Sequence, residues 1–317
     1  MAASPYLRAV KSKTLAYLCL AGICIIWGST FLVLRVGVMQ FPPFLFAALR
    51  QITAGLIMCV YFLLIRKEKL PTRKDLGIQA FRGFLMITCG NGFVSWAEVF
   101  VPSGLAAIIC STMPVVVILI NISTNRSELP NGLIVLGSFL GLGGIVLVFS
   151  EYLADFAEPR YTLGIVLIFV ATITWAIGSL LTQRTIKKSN PFFDTGLQML
   201  FGGLFCLPFS LAFDNLQAVT FSNEILFALS YLIVVGSIGA FSMYAYTLHQ
   251  LPLTIASLYS YVNPLVAVVL GWLVLAEKLN TKIGMAFLVT VAGIYLVNYG
   301  YRTQRRKLLT RNVYEES

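Results

Sequence analysis

The sequence predicts an all-α integral membrane protein: ten transmembrane helices forming two inverted five-helix repeats, with both termini cytoplasmic. Three observations carry that prediction. The composition is too apolar for water, the apolar runs have spanning length, and rare residues recur in order at a fixed offset. Of 317 residues, 58% are apolar and 11% charged, and the mean hydropathy is +0.85. A soluble domain carries about a quarter charged residues, so this chain has too little polar surface to cover a soluble globule. Disorder and disulfide scaffolds are excluded on the same ground.

A spanning helix needs about 20 mostly apolar residues. Runs bounded by charge or turn residues place the spans at Thr14 to Leu34, Pro43 to Ile65, Ile78 to Val99, Pro102 to Ile122 and Gly132 to Phe149, then Tyr161 to Gln183, Phe192 to Phe213, Glu224 to Thr247, Pro252 to Ala276 and Thr281 to Tyr299. Only Phe100 and Val101 separate the third run from Pro102, but proline suits the first turn of a new helix. Lys11 and Lys13 before the first run resemble a signal peptide. No convincing small-x-small cleavage site follows, and Trp27-Gly28-Ser29 continues the run, which is therefore read as a span.

Charge placement sets the orientation. With both ends inside, 17 of the 23 basic residues fall on cytoplasmic segments: Arg8, Lys11, Lys13; Arg66, Lys67, Lys69, Arg73, Lys74; Arg126; Arg184, Lys187, Lys188; Arg302, Arg305, Arg306, Lys307, Arg311. Arg35, Arg160, Lys278 and Lys282 lie on outer loops, and Arg50 and Arg82 inside spans. This is the positive-inside pattern. The net charge of +10 is then mostly an orientation signal that also meets anionic lipid headgroups; nucleic acid is not an expected partner.

Chemistry-bearing motifs are absent from the sequence. The six cysteines sit in apolar runs without CxxC spacing and read as packing residues. The single histidine, His249, rules out His-rich zinc sets, and there is no GxxxxGK[ST] loop, GxSxG elbow or HExxH helix. No cofactor, metal site or enzymatic activity is expected.

Trp27 matches Trp175, Pro43-Phe44 matches Pro191-Phe192, and Arg50 matches Gln198 at an offset of 148; Glu128/Glu277 and Gly144-Ile145/Gly293-Ile294 match at 149; Pro102/Pro252 and Met113-Pro114/Asn263-Pro264 match at 150. The series argues for duplication, with a first repeat over 14–149, a second over 161–299 and a basic cytoplasmic tail over 300–317. Five spans per repeat is an odd number, so the second repeat enters the membrane from the opposite side. Inverted repeats are a carrier architecture, with the binding site near the midplane.

The run Trp27-Gly28-Ser29-Thr30-Phe31, the Pro42-Pro43-Phe44 start with Arg50 following, Met113-Pro114 and Asn263-Pro264, and Glu277-Lys278-Leu279 followed by Gly284 and Gly293 together resemble the EamA-type carriers of the drug/metabolite transporter superfamily. The similarity covers about residues 14 to 299. It implies ten helices, a central cavity lined from both halves, and export of small metabolites such as amino acids or of toxic organic compounds. One departure is that Gln198 stands where the first half has Arg50.

Candidate binding residues follow from the cost of polar groups in hydrocarbon. Arg50 lies about eight residues into its span, roughly 12 Å deep in a core of about 30 Å. It can attract an anionic solute group through its guanidinium fork, or be satisfied by helix-end carbonyls or a buried acid. Arg82 is expected to snorkel to the headgroups. Thr88, Asn91, Ser95 and Glu98 share one face at helical spacing, as do Thr172, Trp175, Ser179 and Thr182. Glu98 either couples protons, if burial holds it protonated in one state, or sits in water at the outer interface. Trp27, Trp96, Trp175, Tyr244, Tyr246, Tyr259 and Tyr261 offer aromatic walls. Gln198 enters as the equivalent of Arg50, and Asn263 and Ser260 as polar groups beside a proline. Pro114 and Pro264 each leave a carbonyl without its helical donor and mark candidate hinges. Gly137 and Gly141 form a GxxxG pair suited to close helix packing.

The expected protein is a secondary carrier of the bacterial cytoplasmic (inner) membrane, exporting small organic solutes by alternating access. Its partners are a small-molecule substrate and membrane lipids, with protons as the candidate coupling ion and a homodimer left open. An importer of sugars or related solutes and a non-transporting protein on the same fold are the alternatives.

Overall fold

The computed structural model describes residues 13–101, 103–124, 130–149, 159–185, 190–275 and 281–315. These residues are helical with short connections and contain no strand. We number the helices α1 (Lys13–Val38), α2 (Pro43–Val60, extended by a π turn over Tyr61–Ile65), α3 (Arg73–Gly83, π-helical over Phe84–Gly92, then Phe93–Phe100), α4 (Ser103–Cys110), α5 (Met113–Thr124) and α6 (Gly132–Phe149). They continue as α7 (Pro159–Thr185), α8 (Pro191–Phe213), α9 (Asn223–Tyr231, π-helical over Leu232–Gly239, then Ala240–Gln250), α10 (Leu253–Ala256), α11 (Tyr259–Leu275) and α12 (Thr281–Glu315).

Five of these are long and apolar enough to cross a membrane: Lys13–Val38, Pro43–Ile65, Arg160–Arg184, Pro191–Phe213 and Asn223–Gln250. Several helix starts are fixed by local chemistry. Pro43 and Pro191 open α2 and α8, where a missing N–H costs nothing. Asn190 accepts from the Phe192 and Phe193 N–H groups, Thr72 from Asp75 and Ser222 from Ile225, each as an N-cap. The cap of α2 comes from elsewhere in the chain: Asp214, just past α8, accepts from Phe44 N–H at 3.3 Å and Leu45 N–H at 2.8 Å.

Packing is reciprocal between the two halves. Helix α2 lies along α8, and α6 along α12. Helix α1 packs on α9 and α11, while α7 packs on α3, α4 and α5. The α6–α12 seam is backbone-close, as the GxxxG reading anticipates: a Cβ on Gly293 would lie 2.5 Å from Gly141 N and 2.6 Å from Gly137 O. A continuous aromatic and aliphatic core joins α1, α3, α7, α9 and α11. Large apolar side chains such as Leu18, Ile25, Leu64, Phe227 and Leu288 point outward, the pattern of a surface that faces lipid rather than water.

Two expectations change. The fourth and ninth runs break at Ser111–Thr112 and Ser257–Leu258 rather than at their prolines. Pro114 sits in the first turn of α5, whereas Pro264 lies inside α11, so the two breaks differ by one helical turn relative to their prolines. Helix α12 also runs on to Glu315, so the segment read as a tail continues the helix. The basic residues Arg8, Lys11, Arg126, Lys187, Lys188 and Lys278 lie outside the described residues.

Candidate functional site

A cavity of about 110 Å³ lies where α1, α3, α7 and α11 converge, with Arg50 of α2, Ala107 and Cys110 of α4, Met113 of α5 and Phe241 of α9 completing its wall. Since a water needs about 10–15 Å³ measured this way, the space admits several waters or the polar end of a small solute. Its wall draws on both halves of the chain.

The aromatic part centres on Trp27, which contacts Tyr259 at 4.8 Å, Tyr244 at 5.2 Å and Phe241 at 5.4 Å between ring centroids. Tilted and edge-on pairs of this kind are the favoured aromatic geometry. The two π stretches, which begin 148 residues apart at Phe84 and Leu232, hold the tryptophans in place. In α9, the Gly236 carbonyl accepts from Trp27 Nε1 at 3.2 Å. In α3, Gly90 lets the Trp175 ring approach so closely that a Cβ there would be 2.9 Å from it. Each tryptophan therefore rests on the π stretch of the other half, and π turns are frequent at functional sites because they open the backbone ladder.

Arg50 is 4% exposed, and its Nε donates to Ser237 Oγ at 2.8 Å. Gly236 is again permissive, since a Cβ there would lie 3.3 Å from Arg50 Nη2. The buried Trp175 Nε1–H lies near the Tyr244 and Tyr259 hydroxyls but has no well-formed hydrogen bond to them. Those hydroxyls instead donate to Ser179 Oγ at 2.8 Å and Met113 Sδ at 3.2 Å. The wall thus carries a guanidinium and the Trp175 ring among aromatic side chains, with Thr30, Asn91, Thr172, Ser260 and Asn263 as its other polar residues. Asn263 ties the broken ninth run to α1: with its amide oriented to satisfy both ends, its nitrogen donates to the Tyr259 carbonyl at 2.9 Å and the Cys24 carbonyl at 3.1 Å.

Of the candidate residues, Trp27, Arg50, Asn91, Thr172, Trp175, Tyr259, Ser260 and Asn263 line the cavity. Tyr244 and Ser179 stand behind the tryptophans, joined to each other. Ser95 bonds back to the Asn91 carbonyl of its own helix at 2.8 Å. Gln198 is remote from the wall and donates to Gln79 Oε1 at 2.8 Å. Near it Arg82 is buried and acts electrostatically on the buried Asp194, so it does not snorkel.

Glu98 is fully buried, not placed in interfacial water. Neither carboxylate oxygen has a hydrogen-bond partner among the described residues, and the cations acting on it are Arg35 and Arg50. Arg35, placed by sequence on an outer loop, extends α1 and donates to the carbonyls of Glu98 and Val101 at the end of α3. A cation there meets the negative end of the helix. Sequence reasoning did not single out Arg35, Thr30, Phe241 or Ser237 as site residues, although Phe241 matches Phe93 at an offset of 148 and Ser237 matches Thr88 at 149.

The profile of the EamA-like transporter family matches residues 14–150 and again 162–299. An Escherichia coli protein named as an uncharacterized inner membrane transporter, YedA, is 34% identical over 287 residues, covering 89% of this chain and 90% of the relative. A Bacillus subtilis protein named as an uncharacterized transporter, YoaV, is 24% identical, covering 90% of this chain and 97% of the relative. A solved crystal structure shares the fold with a TM-score of 0.74 at 16% identity, covering 90% of this chain and 98% of that one.

Proposed function

The chain belongs to the EamA-like transporter family and is a membrane transporter; we propose that it is a secondary carrier of the bacterial inner membrane that exports small organic solutes by alternating access. The proposed frame is ten spans in two inverted repeats with both ends cytoplasmic. The reciprocal packing of α1 with α9 and α11, and of α7 with α3, α4 and α5, supports it, as does the doubled family match.

The observation that carries the reading is the cavity shared between halves, with Trp27 and Trp175 at equivalent positions and Arg50 in the same wall. A solute with an apolar or aromatic body and a carboxylate fits that chemistry: the rings take the body, and the guanidinium and the Trp175 N–H take the charge. Movement of one half against the other then exposes the site to either face. Glu98, buried between Arg35 and Arg50, is the proposed proton-coupling group.

Purified protein in liposomes preloaded with a panel of amino acids, aromatic acids, organic cations and sugars tests this directly. Efflux of zwitterionic or anionic solutes with apolar side chains is the expected result. No transport of any panel member, with or without a pH gradient, refutes the carrier reading, and preference for sugars refutes the assigned solute class.

A further inference from the structure

A second, larger pocket of about 590 Å³ opens where the start of α1, the ends of α7 and α9, and the last part of α12 meet. It shares no lining residue with the tryptophan cavity. Its charged side chains are Lys13 of α1 and Arg302 of α12, with His249, Tyr17, Tyr301 and Gln183 among the polar remainder, and among the described residues no carboxylate lines it. We propose that this pocket is a binding site for a phosphate ester anion.

Four features support the assignment. The volume falls in the range of about 300–1,000 Å³ typical of ligand sites. Lysine and arginine offer up to three and five N–H donors, respectively, and two cations facing one space suit a phosphate, whose anionic oxygens can accept from both. Two of the carbonyls at the end of α9, which would repel an anion, are occupied: Gln183 Nε2 donates to Leu251 O at 2.8 Å and Leu248 O at 3.3 Å. Finally, the flanking faces of α1 and α12 are apolar and outward, with Leu15, Leu18, Tyr295 and Tyr299 exposed. A phospholipid whose headgroup entered the pocket would find surface for its chains beside it, and basic pockets between helix ends are recognised headgroup sites. A free phosphate ester would use the same cations without those faces.

The inference rests on the pocket's charge and shape, not on the transport reading, and its test needs no transport. Delipidated full-length protein in neutral detergent is titrated with phosphatidylglycerol, phosphatidylcholine or inorganic phosphate while thermal unfolding and native mass spectra are recorded. Phosphatidylglycerol is expected to bind saturably and raise the melting temperature by about 5 °C. Lys13→Gln and Arg302→Gln should each weaken binding roughly fivefold, taking about 1 kcal/mol per surface cation, without changing the melting temperature of the lipid-free protein. Competition by inorganic phosphate identifies a free phosphate ester as an occupant, and its absence identifies the lipid. Equal stabilisation by phosphatidylcholine, or a Lys13→Gln/Arg302→Gln double variant that binds phosphatidylglycerol unchanged, overturns the proposal.

Discussion

Trp27 and Trp175, equivalent residues of the two halves, meet edge to face with ring centroids 5.6 Å apart. Their indole nitrogens differ: Trp27 Nε1 is bonded to the Gly236 carbonyl, whereas Trp175 Nε1 has no well-formed bond. Both Trp27→Phe and Trp175→Phe lose ring volume, but Trp27→Phe should lower stability by about 1 kcal/mol more, the usual net worth of one hydrogen bond. Trp175→Phe should in addition reduce transport of solutes that bear an acceptor. Thermal melts paired with liposome efflux separate the two, and equal loss of stability in both variants would refute the distinction.

Arg50 should discriminate solutes by charge. Hydrogen bonds to charged groups contribute about 1.5–3 kcal/mol, so Arg50→Ala should weaken handling of anionic and zwitterionic solutes by roughly 10- to 100-fold while sparing cations. Competition for transport by matched anion, zwitterion and cation analogues measures this. Uniform loss across all three would assign Arg50 a structural role with Ser237.

Glu98→Gln removes the charge but keeps the shape. Transport by the variant should no longer respond to an imposed pH gradient, while exchange of solute across the membrane persists. A gradient response of wild-type size in the variant would place coupling at another group.

Arg35 closes the end of α3 by donating to two carbonyls. Arg35→Ala leaves both without that donor and should cost about 2 kcal/mol, read as a fall in melting temperature. Arg35→Lys should recover part of the loss, since it keeps the charge at the helix end; no recovery would mean that the placement of Nη1 against the two carbonyls, not the charge, matters.

Asp214 gives a pH prediction. Burial pushes its carboxyl above the ordinary 3.8, outweighing the hydrogen bonds from Leu45 and Phe44 that favour the charged form. The folded protein therefore holds this proton more tightly than the unfolded chain. Its contribution to stability is complete below the ordinary carboxylate pKa and is lost as pH rises through the folded-state value. Asp214→Asn should flatten that part of the stability profile in thermal melts across the acid range, and an unchanged slope would count against it.

Much of this was legible in the sequence because hydrophobic runs and rare residues carry position directly. Trp27, Trp175, Arg50 and Asn263 could be aligned between halves and do share one cavity. The polar stripe on α3 was less legible, for a backbone reason. Thr88 and Asn91 fall in the π stretch Phe84–Gly92, where the wider turn breaks the 3.6-residue register that put them on one face with Ser95 and Glu98. Thr88 consequently reaches the Gly202 carbonyl of α8 at 2.8 Å while Asn91 faces the cavity. Gln198 misled because equivalent positions in a duplicated chain need not keep equivalent neighbours: Arg50 finds Ser237, but Gln198 finds Gln79.

The bore of the tryptophan cavity is set by what two positions lack. A single carbon added at Gly90 would collide with Trp175, and one at Gly236 would lie 2.9 Å from Thr30 Cγ2 and 3.3 Å from Arg50 Nη2. Substitution there displaces the wall while leaving its chemical groups intact. Such a change offers an evolving lineage, or a protein engineer, a route to altered solute size selection that keeps the recognition groups untouched.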